Sequence, residues 1–316
     1  MKERLREWLL FALLLGVLAA LPWLGFGQGY VMTLLARAMI LAMAAVSLAL
    51  LVGGAGLVSL GHAAMLGIGA YAVVALDHAG ITEGAVVAPV AILGGAAFAL
   101  LTGAVAIRTS GVNFIMITLA FGQMAFFTAS SLAVYGGDDG YTLYGRTEIL
   151  GSRLLEGRLA FHYLCLGLLA GSLLLCRAVL ASRFGRVLRA ARENPLRVQA
   201  LGFAPYPYRL VAYGLAGAIA GLAGALLANA TEFVAPSYIA WQRSGDLLFM
   251  VILGGLGSLH GAILGALAFV LLEEWLAHWT EHWRLIFGPL LIVAVLFLRG
   301  GLLGLAEQML GARRGG

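Results

Sequence analysis

The sequence predicts an all-α fold: a polytopic helical bundle of about eight to ten transmembrane helices in an inner membrane. Three observations carry that prediction. Of the 316 residues, 62% are apolar and 11% charged, and mean hydropathy is +0.97, against roughly 45–50% apolar and about 25% charged in soluble domains. So few charges cannot cover a soluble core of this size. The apolar residues also gather in stretches close to the ~20 residues that cross a hydrocarbon core of ~30 Å. Finally, no run of short alternating segments is present, as an outer-membrane barrel would require.

The stretches run at 8–26, 30–52, 56–76, 85–107, 112–134, 160–181, 208–230, 247–272 and 284–299. The first follows Lys2, Arg4 and Arg6 and has no small-residue cleavage site before Pro22 and Trp23, so it reads as a retained helix that starts in the cytoplasm. Successive crossings then place Arg108 and the arginines at 183–197 inside, as the positive-inside rule requires. The 135–159 loop falls outside although it carries Arg146, Arg153 and Arg158, balanced by Asp138, Asp139, Glu148 and Glu156. In the sixth stretch, Cys165 and Cys176 lie about 16 Å apart along one helix, too far for a disulfide. The seventh places Gly214, Gly217, Gly221 and Gly224 on one flank, the pattern of close helix packing.

Nine simple crossings would leave Arg299, Arg313 and Arg314 outside, against the charge rule. One stretch must therefore be counted twice or be re-entrant. The candidate is 247–272, whose middle reads GGLGSLHGAILGA. Its string GLGSLHGAILGALA (255–268) echoes GLVSLGHAAMLGIGA (56–70), the pattern expected of an inverted repeat with a substrate pathway between its halves. The whole chain, 1–316, reads as a single transmembrane domain, with 182–207 as a cytoplasmic loop.

That loop contains SRFGRVLRAARENPLRVQALGF (182–203), in which Arg183, Arg186, Arg189 and Arg192 recur every three residues on a short amphipathic helix that Ser182 can cap. Asn194 is then a good N-cap, Pro195 suits the first helical position and Gly202 favours a stop, so PLRVQAL is a second short helix with its own boundaries. Topology and contact with anionic membrane lipid explain part of the charge. A loop that only needed to be positive would not need those boundary residues, which point to a helix presented to a cytoplasmic partner.

Several chemistries are excluded or weakened. Lys2 is the only lysine, so no phosphate-loop lysine exists and the chain does not hydrolyse ATP itself. HWTEH (278–282) fits H-x-x-E-H, which would make His278, Glu281 and His282 an intramembrane hydrolase site. The interleaved Trp275, Trp279 and Trp283 fit an interfacial aromatic loop better, and no third zinc ligand is evident. Asp77, Glu232, Asp246, Glu273 and Glu274 sit at span ends or in loops, whereas ion-coupled carriers need an intramembrane relay, so an autonomous carrier is the weaker alternative. Within spans, Arg37, Ser47, Ser59, His62, Asn113, Thr118, Gln123 and Asn229 are polar. Helix-to-helix hydrogen bonding accounts for the small ones, while His62 and Gln123 fit either a packing network or a pathway. Nothing in the sequence requires a cofactor, and the +5 charge belongs to loops and implies no nucleic acid.

GRVLRAARENPLRVQALGF with the following RLVAYGLAGAIAGLAGAL resembles the loop and next span of the LivM-type permeases of branched-chain amino acid ABC importers. GLVSLGHAAMLGIGAY (56–71), ITLAFGQM (117–124), VILGGLGSLHGAILGA (251–266) and LRGGLLGL (298–305) resemble further motifs of that family, in the same order. The resemblance implies a bacterial inner-membrane subunit without cofactor or catalytic residue. It would pair with a second, homologous permease, two cytoplasmic ATP-binding subunits and a periplasmic substrate-binding protein. It further implies that Arg186, Arg192, Glu193, Asn194, Pro195, Ala200 and Gly202 couple the chain to the ATPases. Ser59, His62, Thr118 and Gln123 are the candidates for the pathway. Relatives of the family leave urea, short amides and aromatic acids as alternative substrates.

Overall fold

The computed structural model describes residues 13–23, 29–148, 151–152, 154–280, 282, 285–290, 292 and 300–304. The N-terminal Lys2, Arg4 and Arg6, the C-terminal arginines and Glu281 lie outside the described residues, as does most of the 284–299 stretch. A short apolar helix, α1 (Leu13–Trp23), is followed by α2 (Gly29–Ala49), which runs on as a π-helical segment, Leu50–Ala55. Then come α3 (His62–His78), α4 (Gly84–Ala106), α5 (Val112–Ser131) and α6 (Arg158–Ala181). Two short helices, α7 (Arg183–Glu193) and α8 (Pro195–Ala200), precede α9 (Pro205–Thr231), α10 (Trp241–Gly254) and α11 (Leu259–Trp279). Six of these are long and apolar enough to span a membrane: α2 with its π extension, α4, α5, α6, α9 and α11.

Two expected spans are broken. The stretch 56–76 is not one helix: residues 56–61 are irregular and α3 starts only at His62, so Ser59 lies in a break and not in a span. Gly56 at φ +69 ends the π segment in the left-handed region, which an L side chain adopts only at a cost. The stretch 247–272 divides at 255–258, where Gly255 (φ +118) and Gly257 (φ +90) reverse the chain, and Ser258 caps α11 by accepting from the Gly261 N–H at 3.1 Å. Both echo strings therefore hold a helix break at a positive-φ glycine, Gly56 in one and Gly255 in the other, while only the second uses its serine as a cap. The 247–272 stretch is thus two helices, of which α11 is long and apolar enough to cross a membrane.

Packing follows from residue size. Between helices in lipid there is little hydrophobic driving force, so close backbone approach through small residues must supply the cohesion. On α9 a Cβ at Gly217 would strike Ala99 and Gly95, one at Gly221 would strike Ala91, and one at Gly224 would strike the Leu66 carbonyl. The glycine flank thus presses α9 directly onto α4 and α3, as the spacing predicts. At the centre, α2 is almost entirely buried and touches α6, α9, α10 and α11. Much of α4, α5 and α6 stays exposed, with Leu93, Leu101, Met116, Met124, Phe127 and Leu175 facing out. Cys165 and Cys176 are free and buried.

Contacts sort the loops into two opposite ends. At one, Tyr141–Thr142 (β1) pairs antiparallel with Phe233–Val234 (β2), the Tyr141 phenol donates to Asp77 at 3.0 Å, and Asn229 Oδ1 accepts from the Thr147 N–H and hydroxyl, both at 2.7 Å. Burial first, and then the Asp77 carboxylate, raise the Tyr141 pKa above its ordinary value. Tyr30 also meets Glu274 there, and Arg37 reaches Glu273 at 3.0 Å, which neutralises the one arginine of α2. The other end gathers the π segment, the α4–α5 turn, α7, α8 and the α10–α11 turn.

Candidate functional site

The second end holds the residues that the sequence singled out. Ser182 caps α7, its hydroxyl accepting from the Gly185 N–H at 3.3 Å, and Asn194 caps α8 by accepting from the Arg197 N–H at 3.0 Å, with Pro195 in the first turn. After α8, Gly202 at φ +84 donates to the Gln199 carbonyl at 2.9 Å and Phe203 donates to the Val198 carbonyl at 3.2 Å. That pair of bonds is the Schellman closure, which glycine enters most readily. The short helix is therefore fixed at both ends by the residues that the sequence suggested.

Burial shows what the two helices offer. Gly185, Leu188 and Ala191 bury one face of α7, and Arg183, Arg186 and Arg189 stay exposed on the other. In α8 only Val198 is buried. Leu196 and Leu201 are 74% and 72% exposed, and Ala200 and Phe203 are exposed beside them. Large apolar side chains exposed together are unusual on a short capped helix. Beneath them lies a groove of about 520 Å³, walled by Ile107, Arg108, Pro195, Gln199, Phe203, Tyr206 and Arg209 among others. Glu193 is exposed at the α7–α8 junction.

Arg192 does something different from its neighbours. Its guanidinium donates to the Gly53 carbonyl at 2.5 Å, and its side-chain carbons lie where a Cβ on Gly56 would sit. Leu188 packs beside Gly54 in the same way. On the far side of the π segment, a Cβ at Gly53 would come within 2.9 Å of Gly257, and Gly254 and Gly255 in turn abut Gly300 and Gly301. Strings far apart in sequence, at 53–56, 254–257, 300–301 and 188–192, thus meet in one node.

Further into the bundle, three of the four pathway candidates come together around the break. Ser59 shares a hydrogen bond with Tyr213 at 3.2 Å, and the Thr118 hydroxyl accepts from the Leu60 N–H at 3.2 Å. Ser47 donates to the Ala44 carbonyl at 2.7 Å and so accepts from His62 Nε2 at 2.8 Å, which assigns the Nε2-protonated tautomer. Ser244 accepts from the Ala63 N–H at 2.9 Å. Ser59, His62 and Thr118 are fully buried, so within this chain they clamp the exposed backbone of a broken helix. Gln123 is not part of the cluster: five residues beyond Thr118, it is turned about 140° around α5. Its amide nitrogen is buried without a hydrogen-bond partner. Sequence reasoning missed Tyr213 and Ser244, whose only signal was a polar atom in an apolar helix.

Of the H-x-x-E-H motif, Glu281 lies outside the described residues. His278 is exposed, and among the described residues no three His, Cys, Asp or Glu side chains gather as a metal site.

The family described as branched-chain amino acid transport system, permease component, matches residues 30–296. Over 287 residues the chain is 29% identical to the high-affinity branched-chain amino acid transport system permease protein LivM of Escherichia coli (strain K12), covering 84% of this chain and 68% of that one. LivM of Salmonella typhimurium is 28% identical over the same shares. A shorter stretch of 89 residues, 27% of this chain and 26% of the relative, is 37% identical to the probable branched-chain amino acid transport permease protein LivH of Methanocaldococcus jannaschii. No solved structure matches the chain significantly. With six apolar spanning helices and a family match that runs across most of its length, the chain is a multi-pass membrane protein that belongs to the permease-component family of branched-chain amino acid transport systems.

Proposed function

We propose that this chain is one membrane-spanning subunit of an ATP-driven importer of branched-chain amino acids, with α8 as the helix that docks on an ATP-binding subunit. The observation that carries this reading is the capped α8 with Leu196 and Leu201 in water, on a base made rigid by α7. Arg186, Glu193, Asn194, Pro195, Ala200 and Gly202 shape or flank that surface, and Arg192 ties it to the bundle. The chain has no phosphate-loop lysine, so ATP hydrolysis falls to two partner subunits on the α8 side. That side is cytoplasmic, because Arg108, Arg183, Arg186, Arg189, Arg192 and Arg197 cluster there, and the N-terminus shares it.

A second, homologous permease completes the membrane part, and a periplasmic binding protein delivers substrate to the opposite end. Two relatives carry the names LivM and LivH, which supports a paired arrangement. The substrate path runs past the break at 56–61, where Ser59, His62 and Thr118 surround helix-end backbone that can meet an amino-acid zwitterion.

Reconstitution of the importer in liposomes tests the reading. A Leu196→Asp, Leu201→Asp double variant is expected to insert normally, lose co-purification with the ATP-binding subunits and lose ATP-driven leucine uptake. Undiminished uptake would overturn α8 as the docking helix. Gradient-driven uptake by the chain alone would replace the importer by a carrier.

A further inference from the structure

The π segment Leu50–Ala55 is where α2, the most buried helix, changes its hydrogen-bond period. Five-step bonding widens a helix, is rare, and concentrates at functional positions. At its end, helix-terminal carbonyls need partners from outside the helix. Here the Gly53 carbonyl takes its partner from the docking loop, in Arg192. The contact is not an isolated surface bond: Leu188 packs on Gly54 and the Arg192 carbons on Gly56, so α7 covers both glycines of the segment and the glycine that caps it. Opposite Arg192, Gly53 lies against Gly257 with no side chain between the two backbones. That glycine belongs to the turn between α10 and α11, so the π segment is held between the docking loop and the second break of the bundle.

We infer that Arg192 is a positioning residue, which clamps the π segment to the docking loop so that a displacement of α7 reaches the α10–α11 turn through Gly53 and Gly257. The clamp rests on the reading of α8 as a docking helix for its use in transport, but its structural half does not. A charged donor on a helix-end carbonyl resists separation more than a neutral pair does. Backbone seated on backbone at Gly53 and Gly257 leaves no flexible side chain to absorb the motion. Arg192, exposed like Arg183, Arg186 and Arg189, thus directs its guanidinium to this chain's own Gly53 carbonyl.

Hydrogen exchange on the full chain in nanodiscs tests the clamp without any partner. Arg192→Ala is expected to speed exchange about tenfold at the Gly56 and Leu57 amides, the factor implied by losing a charge-assisted hydrogen bond. The amides of 255–258 should speed up with them, α9 should stay unchanged, and Arg192→Lys should restore most of the protection. Unchanged exchange at 56–57, or acceleration there that does not reach 255–258, would overturn the clamp. In the assembled importer, Arg192→Ala is expected to keep the ATP-binding subunits bound and hydrolysing while uptake falls at least tenfold. Uptake that falls in step with hydrolysis would overturn the transmission role. Loss of ATPase binding in the Leu196→Asp, Leu201→Asp variant, measured in parallel, reports separately on the docking surface.

Discussion

Single side chains here act mainly on backbone left unpaired where helices stop. Ser182, Asn194 and Ser258 satisfy N–H groups at helix starts, and Arg192 and Arg209 satisfy the Gly53 and Ala191 carbonyls. Ser182 and Asn194 are exposed, so water competes for these groups and removing a cap costs the amount usual for a helix N-cap. Replacing Asn194 by Ala should destabilise α8 by about 0.5–2 kcal/mol. Faster exchange at the Arg197 amide would register it, and Asn194→Asp should keep the protection. His62 shows the same logic in the interior. His62→Ala takes away the donor to the buried Ser47 oxygen and opens a cavity, so a loss of about 2–4 kcal/mol is expected in detergent-solubilised unfolding. An unchanged melting temperature would show that the Ser47–His62 bond does not support the break. The caps were legible in sequence because capping is local chemistry. The Ser59–Tyr213 and Ala63–Ser244 bonds were not, because each joins residues more than 150 positions apart.

At the scale of elements, glycine placement decides which helices touch. A Cβ at Gly221 or Gly224 would meet main-chain atoms of α4 or α3, which cannot move aside as a flexible side chain can. Gly221→Val and Gly224→Val should each destabilise the bundle by about 3 kcal/mol or more, beyond the usual cost of overpacking. Gly167 and Gly171 on α6 have open space beside them, so replacing either by Ala should be neutral or stabilising by up to ~1 kcal/mol. Comparing the melting temperatures of the four variants separates close packing from a general preference for glycine. The packing role of the α9 flank was legible from glycine spacing alone. It did not show that 56–61 lacks helical structure, because Gly-Leu-Val-Ser-Leu-Gly is apolar enough to read as span. Tertiary partners, Tyr213 and Thr118 above all, are what make the break tolerable.

For the whole molecule, the arginine distribution and the sorting of contacts into two ends agree. The α8 end should face the cytoplasm. Because Cys165 and Cys176 are buried, single introduced cysteines can report this. Gln199→Cys should react with an impermeant maleimide only in inside-out vesicles, and Tyr144→Cys only in intact spheroplasts. Labelling of both from one side would break the two-ended arrangement, and the reversed pattern would invert its orientation.

Membrane residence, an all-α bundle, the family and the limits of the short helix at 195–201 were determined by sequence. Each depends on composition, on local order or on a string of consecutive residues. Tertiary structure decided that the 247–272 stretch is two helices, that Gln123 stands apart from Ser59, His62 and Thr118, and that Arg192 turns inward to Gly53. The physical reason is common to all three: an unpaired carbonyl, a small residue or a buried hydroxyl acquires its consequence only from the distant backbone that comes to lie against it.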